Sequence, residues 1–213
     1  MIIIIIKQKS KMKILTWNIN TFIGNNKNYQ NILYYIYNIN PDVLCLQECN
    51  EEIMDELRKK YSFVGKTKTH GGWCAIFTTM EFSNVIIYDK TGLQVNIKPP
   101  TFEGVEQKEV IVGNCHLVPY RNNTEFRKYQ LKSFNNLDIL CGDINDESHI
   151  FDKSYENAVN FRTWFSCYFD NSSTGGKNYD HIYHKKNINI EIDRSVSVYN
   201  ELSDHCPILF RLT

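Results

Sequence analysis

What this sequence lacks narrows it first. It has no excess of one charge: 24 Lys and Arg stand against 24 Asp and Glu in 213 residues, a formal net charge of zero. No global field draws the chain to nucleic acid or to an anionic membrane, so any grip on a polyanion must be local. It has no long hydrophobic run either. The N-terminal MIIIIIKQKSKMK holds five consecutive isoleucines, short of the ~20 of a membrane span and of the roughly 7–15 of a signal-peptide core. That stretch reads as an edge strand or a frayed extension. There is no CxxC pair, and the seven cysteines are odd in number and scattered. A disulfide framework is therefore not expected, whereas reduced thiols in an intracellular compartment, nucleus or cytoplasm, are. GxSxG, a Walker loop and GxGxxG are all missing; Gly71-Gly72 and Gly175-Gly176 are lone doublets that read as turns. Without repeats or low-complexity linkers, the chain fits an extension over 1–12 and a single catalytic-sized domain over 13–213.

What is present is an alternation of strand and helix signals. Lys13 to Ile19 (KILTWNI) is β-rich, and Asn28 to Asn38 sets Ile32, Tyr35, Ile36 and Ile39 on a helical stripe. Pro41 closes that helix, because proline disfavours helical backbone in the residue before it. Asp42 to Gln47 reads as a central strand and Glu51 to Lys60 as a polar surface helix. Strands follow around Ser62 to Lys66, Trp73 to Thr78, Asn84 to Tyr88, Leu93 to Ile97 and Glu109 to His116. Asn123 to Phe134 reads as an amphipathic helix with Thr124 as its N-cap. After LDILCGD come a helix near Tyr155 to Phe165 and the strands HIYHK, INIEI, SVSVY and PILFRL. Many strands with a few helices between them point to an α/β fold of two sheets packed face to face and covered by helices.

The chemistry lies where these strands stop. Asn18 ends KILTWN, Glu48 ends VLCLQE, His116 ends VIVGNCH, Asp143 and Asn145 follow DILCG, Asp180 heads YDHIYH, and Ser203-Asp204-His205 precedes PILFRL. Strand ends are where a rigid scaffold positions functional loops. Any one of these residues alone reads as a cap or a turn, and His181 and His184 read as structural; together they form an inventory of hard oxygen donors, amides and histidines. No cysteine or histidine pair has zinc spacing. Such donors suit Mg²⁺, with Mn²⁺ as the alternative. Phosphodiester hydrolysis needs charge neutralised on the phosphoryl oxygens, a positioned water and help for the leaving oxygen. In that reading Glu48 holds the metal, Asp143 orients and deprotonates water, and Asn18, Asn145 and His205 donate to phosphate oxygens. An Asp180 beside His205 would favour the imidazolium. Trp73, Trp164 and Phe165 are candidates to stack a terminal base.

These residues resemble the endonuclease/exonuclease/phosphatase superfamily. Its ordered signatures stand here as Thr16-Trp17-Asn18, Leu46-Gln47-Glu48, His116, Gly142 to Asn145, Asp180 and Ser203 to Pro207, across nearly the whole chain. The resemblance implies a four-layered, DNase I-like α/β sandwich of two mixed sheets flanked by helices, with a Mg²⁺-dependent site at one end of the sheets. It also implies Asp204 near the metal, with Asn20 in the metal set, and Asp180 paired to His205. Within the superfamily, HLVPYRNNTEFRKYQL is similar to the 5′-tyrosyl-DNA phosphodiesterases and makes Arg121, Arg127 and Gln130 substrate-binding candidates. Two positions depart from that branch: Asn20 stands where an aspartate is usual, and Asp146-Glu147-Ser148 where an arginine is usual.

The expected function is thus a Mg²⁺-dependent phosphodiesterase acting in DNA repair at DNA ends or single-stranded termini, including ends that carry a protein adduct, as a monomer and away from membranes. The alternatives are an abasic-site endonuclease or 3′ exonuclease, a phosphatase or phosphodiesterase for a small or lipid substrate, and a catalytically silent binding module. Survival of Glu48, Asp143, Asn145 and His205 argues against the last.

Overall fold

The structure, a computed structural model, describes residues 12–20, 29–101, 106–119, 123–164, 176–197 and 202–213. The sequence-based expectations for the isoleucine run, Arg121, Phe165 and Gly175 fall outside these residues.

The described elements run β1 (Lys13–Asn18), α1 (Tyr29–Ile39), β2 (Val43–Cys49), α2 (Glu51–Leu57), β3 (Ser62–Thr69), β4 (Gly72–Thr78), β5 (Glu81–Tyr88), β6 (Gly92–Lys98), β7 (Val110–His116), α3 (Thr124–Leu131), β8 (Ile139–Asp143), β9 (Tyr155–Asn157), β10 (Asp180–Lys185), β11 (Ile190–Ile192) and β12 (Ile208–Leu212). They build two six-stranded sheets. Sheet A has the order β11-β12-β1-β2-β4-β3, and sheet B the order β5-β6-β7-β8-β10-β9. Each is mixed, with one parallel pair at its centre, β1 with β2 and β7 with β8.

The central strands are near-continuous apolar runs because both of their faces are covered. One face of each sheet meets the other sheet in a shared core that includes Ile14, Val43, Ile76, Val95, Val112, Ile139 and Phe210. The outer face of sheet A takes α1 and α2 through Leu15, Trp17, Ile36, Leu46 and Ile53. The outer face of sheet B takes α3 through Leu131, Phe134, Leu137 and Tyr183. The layers are therefore helix, sheet, sheet, helix, as the sequence predicts.

Local chemistry fixes the helix ends. α1 buries Ile32, Leu33 and Ile36, and stops at Asn40, whose left-handed backbone (φ 48°) carries its N–H back to Ile36 O at 3.0 Å. That is an asparagine-capped helix end, with Pro41 just beyond it. α2 begins where Asn50 Oδ1 accepts from Ile53 N at 2.9 Å, with Glu51 and Glu52 complementing the helix dipole. Among the described residues, no helix is long and apolar enough to cross a membrane.

Three expectations are corrected. The described part of the stretch predicted as a helix from Tyr155 to Phe165 opens instead as β9, an edge strand paired to β10, and continues as irregular chain. Its helix-like apolar spacing is used by the tertiary core, since Ala158, Val159 and Phe161 pack between the sheets. The described part of SVSVY is a turn: Asp193 Oδ1 accepts from Ser195 N and Oγ, and Asp193 O accepts from the Val196 and Ser197 N–H groups. Thr124 is the first residue of α3 and not its cap; its hydroxyl donates to Asp146 Oδ2 at 2.6 Å.

Candidate active site

Sheet register brings the polar strand ends together. In sheet B, His116 lies opposite Asp143, and Asp143 opposite Asp180, so three polar residues sit side by side across β7, β8 and β10. Gly142 permits this closeness: its φ is +133°, and a Cβ there would lie 2.0 Å from Cys115 O. In sheet A, Asn18 pairs with Gln47, and the next residue, Glu48, sits in a bulge between β2 and β4 with φ +53°. A bulge re-aims a side chain, and Glu48 here reaches across to the sheet B residues.

Asn18 ties the two sheets. Its Nδ2 donates to Glu48 Oε1 at 3.1 Å and to Asp143 Oδ2 at 3.0 Å, while its Oδ1 accepts from Asn20 N at 3.0 Å. Both amide hydrogens are thus used on carboxylates, so in this structure Asn18 holds the two acids together. His116 Nδ1 is held by Thr69 Oγ1 at 3.1 Å, and its Nε2 lies 3.6 Å from both Glu48 Oε1 and Asp143 Oδ2. His205 Nδ1 is paired with Asp180 Oδ2 at 2.8 Å, and its Nε2 lies 3.7 Å from Asp143 Oδ2. The His205 backbone is fixed too, its O accepting from Trp17 Nε1 and its N–H donating to Ser203 Oγ.

The electrostatics follow from burial. Burial pushes Glu48 above the usual carboxylate range, and the Asn18 hydrogen bond and His205 offset part of this. Burial also raises Asp143; His205 pulls it down, while the Asp180 and Glu48 carboxylates push it up. For His205 burial acts downward, but Asp180 and Asp143 outweigh it and lift the imidazole to about 10. Burial, then the neighbouring His205 and His70, depress His116 to about 3, so it is neutral. The two histidines therefore differ in charge at neutral pH: His205 is an imidazolium and His116 an uncharged ring. Glu48 keeps 18% of its side-chain exposure against 2% for Asp143, which makes Glu48 the open face of the site.

Two acids raised by burial, bridged by one amide and clustered with a neutral imidazole within 4.8 Å, are a donor set whose chemistry fits a divalent cation. Glu48, Asp143 and His116 form one such cluster, and Asp143, Asp180 and His205 a second. Asp204 stands beside them: Asn20 Nδ2 donates to its Oδ1 at 2.6 Å and Trp164 Nε1 to its Oδ2 at 2.9 Å. Asn20 thus serves Asp204 through its amide. Trp164 is half-buried, with its ring 5.4 Å from that of Tyr179. Asn145 has a left-handed backbone (φ 56°); its N–H donates to Asp143 Oδ1 and its Nδ2 to Leu117 O.

Arg127 and Gln130 are not at the acids. Arg127 is buried, with Nε and Nη2 on Asp146 Oδ2 and Nη1 on Val118 O, and Gln130 Oε1 accepts from Val118 N at 3.5 Å. Both brace the segment just after His116. Asp146, which stands near the position where the resembling branch carries an arginine, is the acid that anchors Arg127. His181 and His184 are buried among structural partners: His181 pairs with Asn157 Nδ2 and Asp146 O, and His184 with Lys185 O.

Sequence reading missed the β3–β4 turn. A Cβ on Gly71 (φ +82°) would lie 2.8 Å from Glu48 Cδ, so this turn backs directly onto the acid. His70, in the same turn, acts electrostatically on Glu48 and His116. The only signal was the Gly71-Gly72 doublet, whose distance from Glu48 along the chain hid the contact. Gln47 was missed similarly: its Nε2 donates to Asn114 Oδ1 at 2.6 Å, and Asn114 Nδ2 donates to Leu46 O and Ala75 O, which clips the two sheets beneath Glu48.

The sequence matches the family model described as the Endonuclease/Exonuclease/phosphatase family over residues 15–205. No protein with a curated description matches it. Among solved structures, the chain is similar to D. rerio TDP2 complexed with single-strand DNA product, at 17% identity and a TM-score of 0.73, over 96% of this chain and 100% of that one. It is similar to the human Nocturnin catalytic domain with bound sulfate, at 17% identity and a TM-score of 0.69, over 95% of this chain and 93% of that one. A Bacteroides thetaiotaomicron mannosyl-6-phosphatase aligns at 16% identity and a TM-score of 0.67, over 95% of this chain and 99% of that one. Identities this low speak to a shared fold, while the family match rests on the sequence itself. The chain belongs to the endonuclease/exonuclease/phosphatase family and is a hydrolase of phosphate esters.

Proposed function

We propose that this hydrolase is a Mg²⁺-dependent phosphodiesterase that cleaves at DNA ends in repair, of the 5′-tyrosyl-DNA phosphodiesterase kind. The observation that carries the reading is the meeting of Glu48 and Asp143 on one amide, with the Asp180-paired imidazolium of His205 alongside. The fold likeness to D. rerio TDP2, crystallised with single-strand DNA product, supports the choice of substrate class.

Glu48 would be the principal ligand for the cation, with Asp204 and Asn20 as supporting oxygen donors. Bound there, a hard divalent cation neutralises charge on the phosphoryl oxygens. The remaining roles belong to the protein. Asp143, raised by burial, takes the proton of the attacking water near neutral pH, and the Asn145 N–H on its Oδ1 leaves Oδ2 facing the site. His205 presents Nε2 as a cationic donor to a phosphoryl oxygen, and Asp180 holds its charge through Nδ1. The second N–H of the Asn145 amide is available for another phosphoryl oxygen. His116, being neutral, lines the site beside the two acids without adding charge. The half-exposed Trp164 ring offers a surface for a terminal base, and Arg121 a cation for the DNA backbone.

The test is a panel incubated with Mg²⁺: a 5′-phosphotyrosyl oligonucleotide, an abasic-site duplex, a 3′-recessed duplex and a soluble phosphoinositide. Release of tyrosine from the first at the highest kcat/KM is the expected result. Preferential cleavage of the abasic duplex, the recessed end or the phosphoinositide would reassign the substrate.

A further inference from the structure

At the far end of sheet B lies a cavity of about 900 Å³, between the C-terminal end of α3, the segment leading into β9 and the end of β10. Asp180 begins β10 and Lys185 ends it, which at roughly 3.3 Å per residue puts the cavity's edge about 17 Å from the catalytic acids. Its charge is one-sided. Lys128, Lys132, Lys153, Lys185 and Lys186 line it against a single carboxylate, Asp152, in a chain whose net charge is zero. Lys128 is paired with Glu125 and Lys185 with Asp138. Lys132, Lys153 and Lys186 have no ion pair among the described residues.

The floor has a second character. The Phe151 and Tyr155 rings are half-buried, with centroids 4.7 Å apart, and the Tyr155 hydroxyl donates to Leu137 O at 2.7 Å, which fixes the ring in place. Like charges collected around a ligand-sized cavity repel one another unless a multiply charged anion joins them. The two rings are tilted 55° to each other, so a planar ring can lie on the face of one and meet the edge of the other. One small-molecule class carries both features on one scaffold.

We propose that this cavity binds a free nucleoside triphosphate, its phosphates among Lys132, Lys153 and Lys186 and its base against Phe151 and Tyr155. The site is separate from the catalytic acids and does not depend on a metal.

The test is calorimetric titration with ATP in the presence of EDTA, which keeps the catalytic end metal-free. Wild-type protein binds with a measurable Kd. The Lys132→Glu/Lys153→Glu/Lys186→Glu variant, shown by its melting curve to be folded, binds at least about tenfold more weakly because three ammonium–phosphate contacts are reversed in charge. If that variant does not fold, Lys153→Ala/Lys186→Ala serves in its place, with a weakening of at least about threefold on the same ground. Asp143→Asn leaves the Kd unchanged. Tripolyphosphate, lacking the base, binds more weakly than ATP to the wild type, and Phe151→Ala removes that difference. No heat with millimolar ATP, an unchanged Kd in the charge-reversed variant, loss of binding in Asp143→Asn, or tripolyphosphate binding as tightly as ATP would each overturn the proposal. So would tighter binding of an oligothymidylate than of ATP at these lysines, since it would assign the cavity to a nucleic-acid strand.

Discussion

At the residue scale, the site rests on unlike treatment of like groups. Asp143 and Asp180 face each other across β8 and β10, yet His205 is bonded to Asp180 alone. Asp180 and His205 therefore form a buried ion pair, and removing one partner of such a pair costs about 3–5 kcal/mol. Asp180→Asn is expected to lose stability of that order in urea denaturation. The sign of its pH dependence follows from His205. Its folded pKa, about 10, lies above the ordinary imidazole value, so its contribution is full below about pH 6.5 and disappears as pH rises through about 10. The deficit of Asp180→Asn should accordingly be large at pH 6 and shrink towards pH 10, and an imidazole NMR titration of the variant should show His205 losing its proton at lower pH. Asp143→Asn, by contrast, swaps a buried acid for a neutral isostere. Turnover should fall at least ~10²-fold, the lower end of what a positioned base contributes, while the circular dichroism spectrum in EDTA stays that of the folded protein. Most of these residues were legible in the sequence, since strand ends mark them. The spent amide of Asn18 was not, because its two acceptors come from different sheets.

At the scale of elements, the strands that carry the site were legible from their apolar runs, and so were α1, α2 and α3. The misread stretches share a cause. Tyr155 to Asn157 and Ser195 to Ser197 take their form from distant or side-chain partners, β10 in one case and the Asp193 carboxylate in the other, which local periodicity does not encode. α3 yields a prediction of its own. Its Arg127 holds Asp146 and Val118 together, and so ties the loop carrying Asn145 to the chain leaving His116. Arg127→Met should raise KM more than it lowers kcat, because it loosens the loop without touching Asp143. Equal losses in kcat and kcat/KM would place Arg127 at the reacting centre instead. In the β3–β4 turn, Gly71→Ala should displace Glu48, because the added carbon would lie 2.8 Å from its carboxyl carbon at a backbone φ of +82°. The expected result is a higher Mg²⁺ requirement with the fold intact by circular dichroism.

At the scale of the whole molecule, two sheets packed face to face bring one acid from each, Glu48 and Asp143, to a common point on the Asn18 amide; the motifs mark both acids, while their meeting depends on the packing of the sheets. Both acids are raised by burial, so without a cation the site favours the protonated forms at lower pH, and cation binding expels protons. Mg²⁺ affinity should therefore increase as pH rises through about 7, where the neighbouring Asp143 loses its proton, and the Mg²⁺-induced rise in melting temperature should be larger at pH 8 than at pH 6; a smaller rise at pH 8 would contradict the assigned shifts. The most direct measurement is the single-turnover rate of phosphodiester cleavage as a function of Mg²⁺ in wild-type protein and Glu48→Gln. The expected result is no cleavage in EDTA, saturation with Mg²⁺ in the wild type, and at least about a tenfold higher Mg²⁺ requirement in the variant, the lower end expected for loss of a ligand or its support. Cleavage that persists in EDTA, or a Mg²⁺ dependence that Glu48→Gln leaves unchanged, would contradict it.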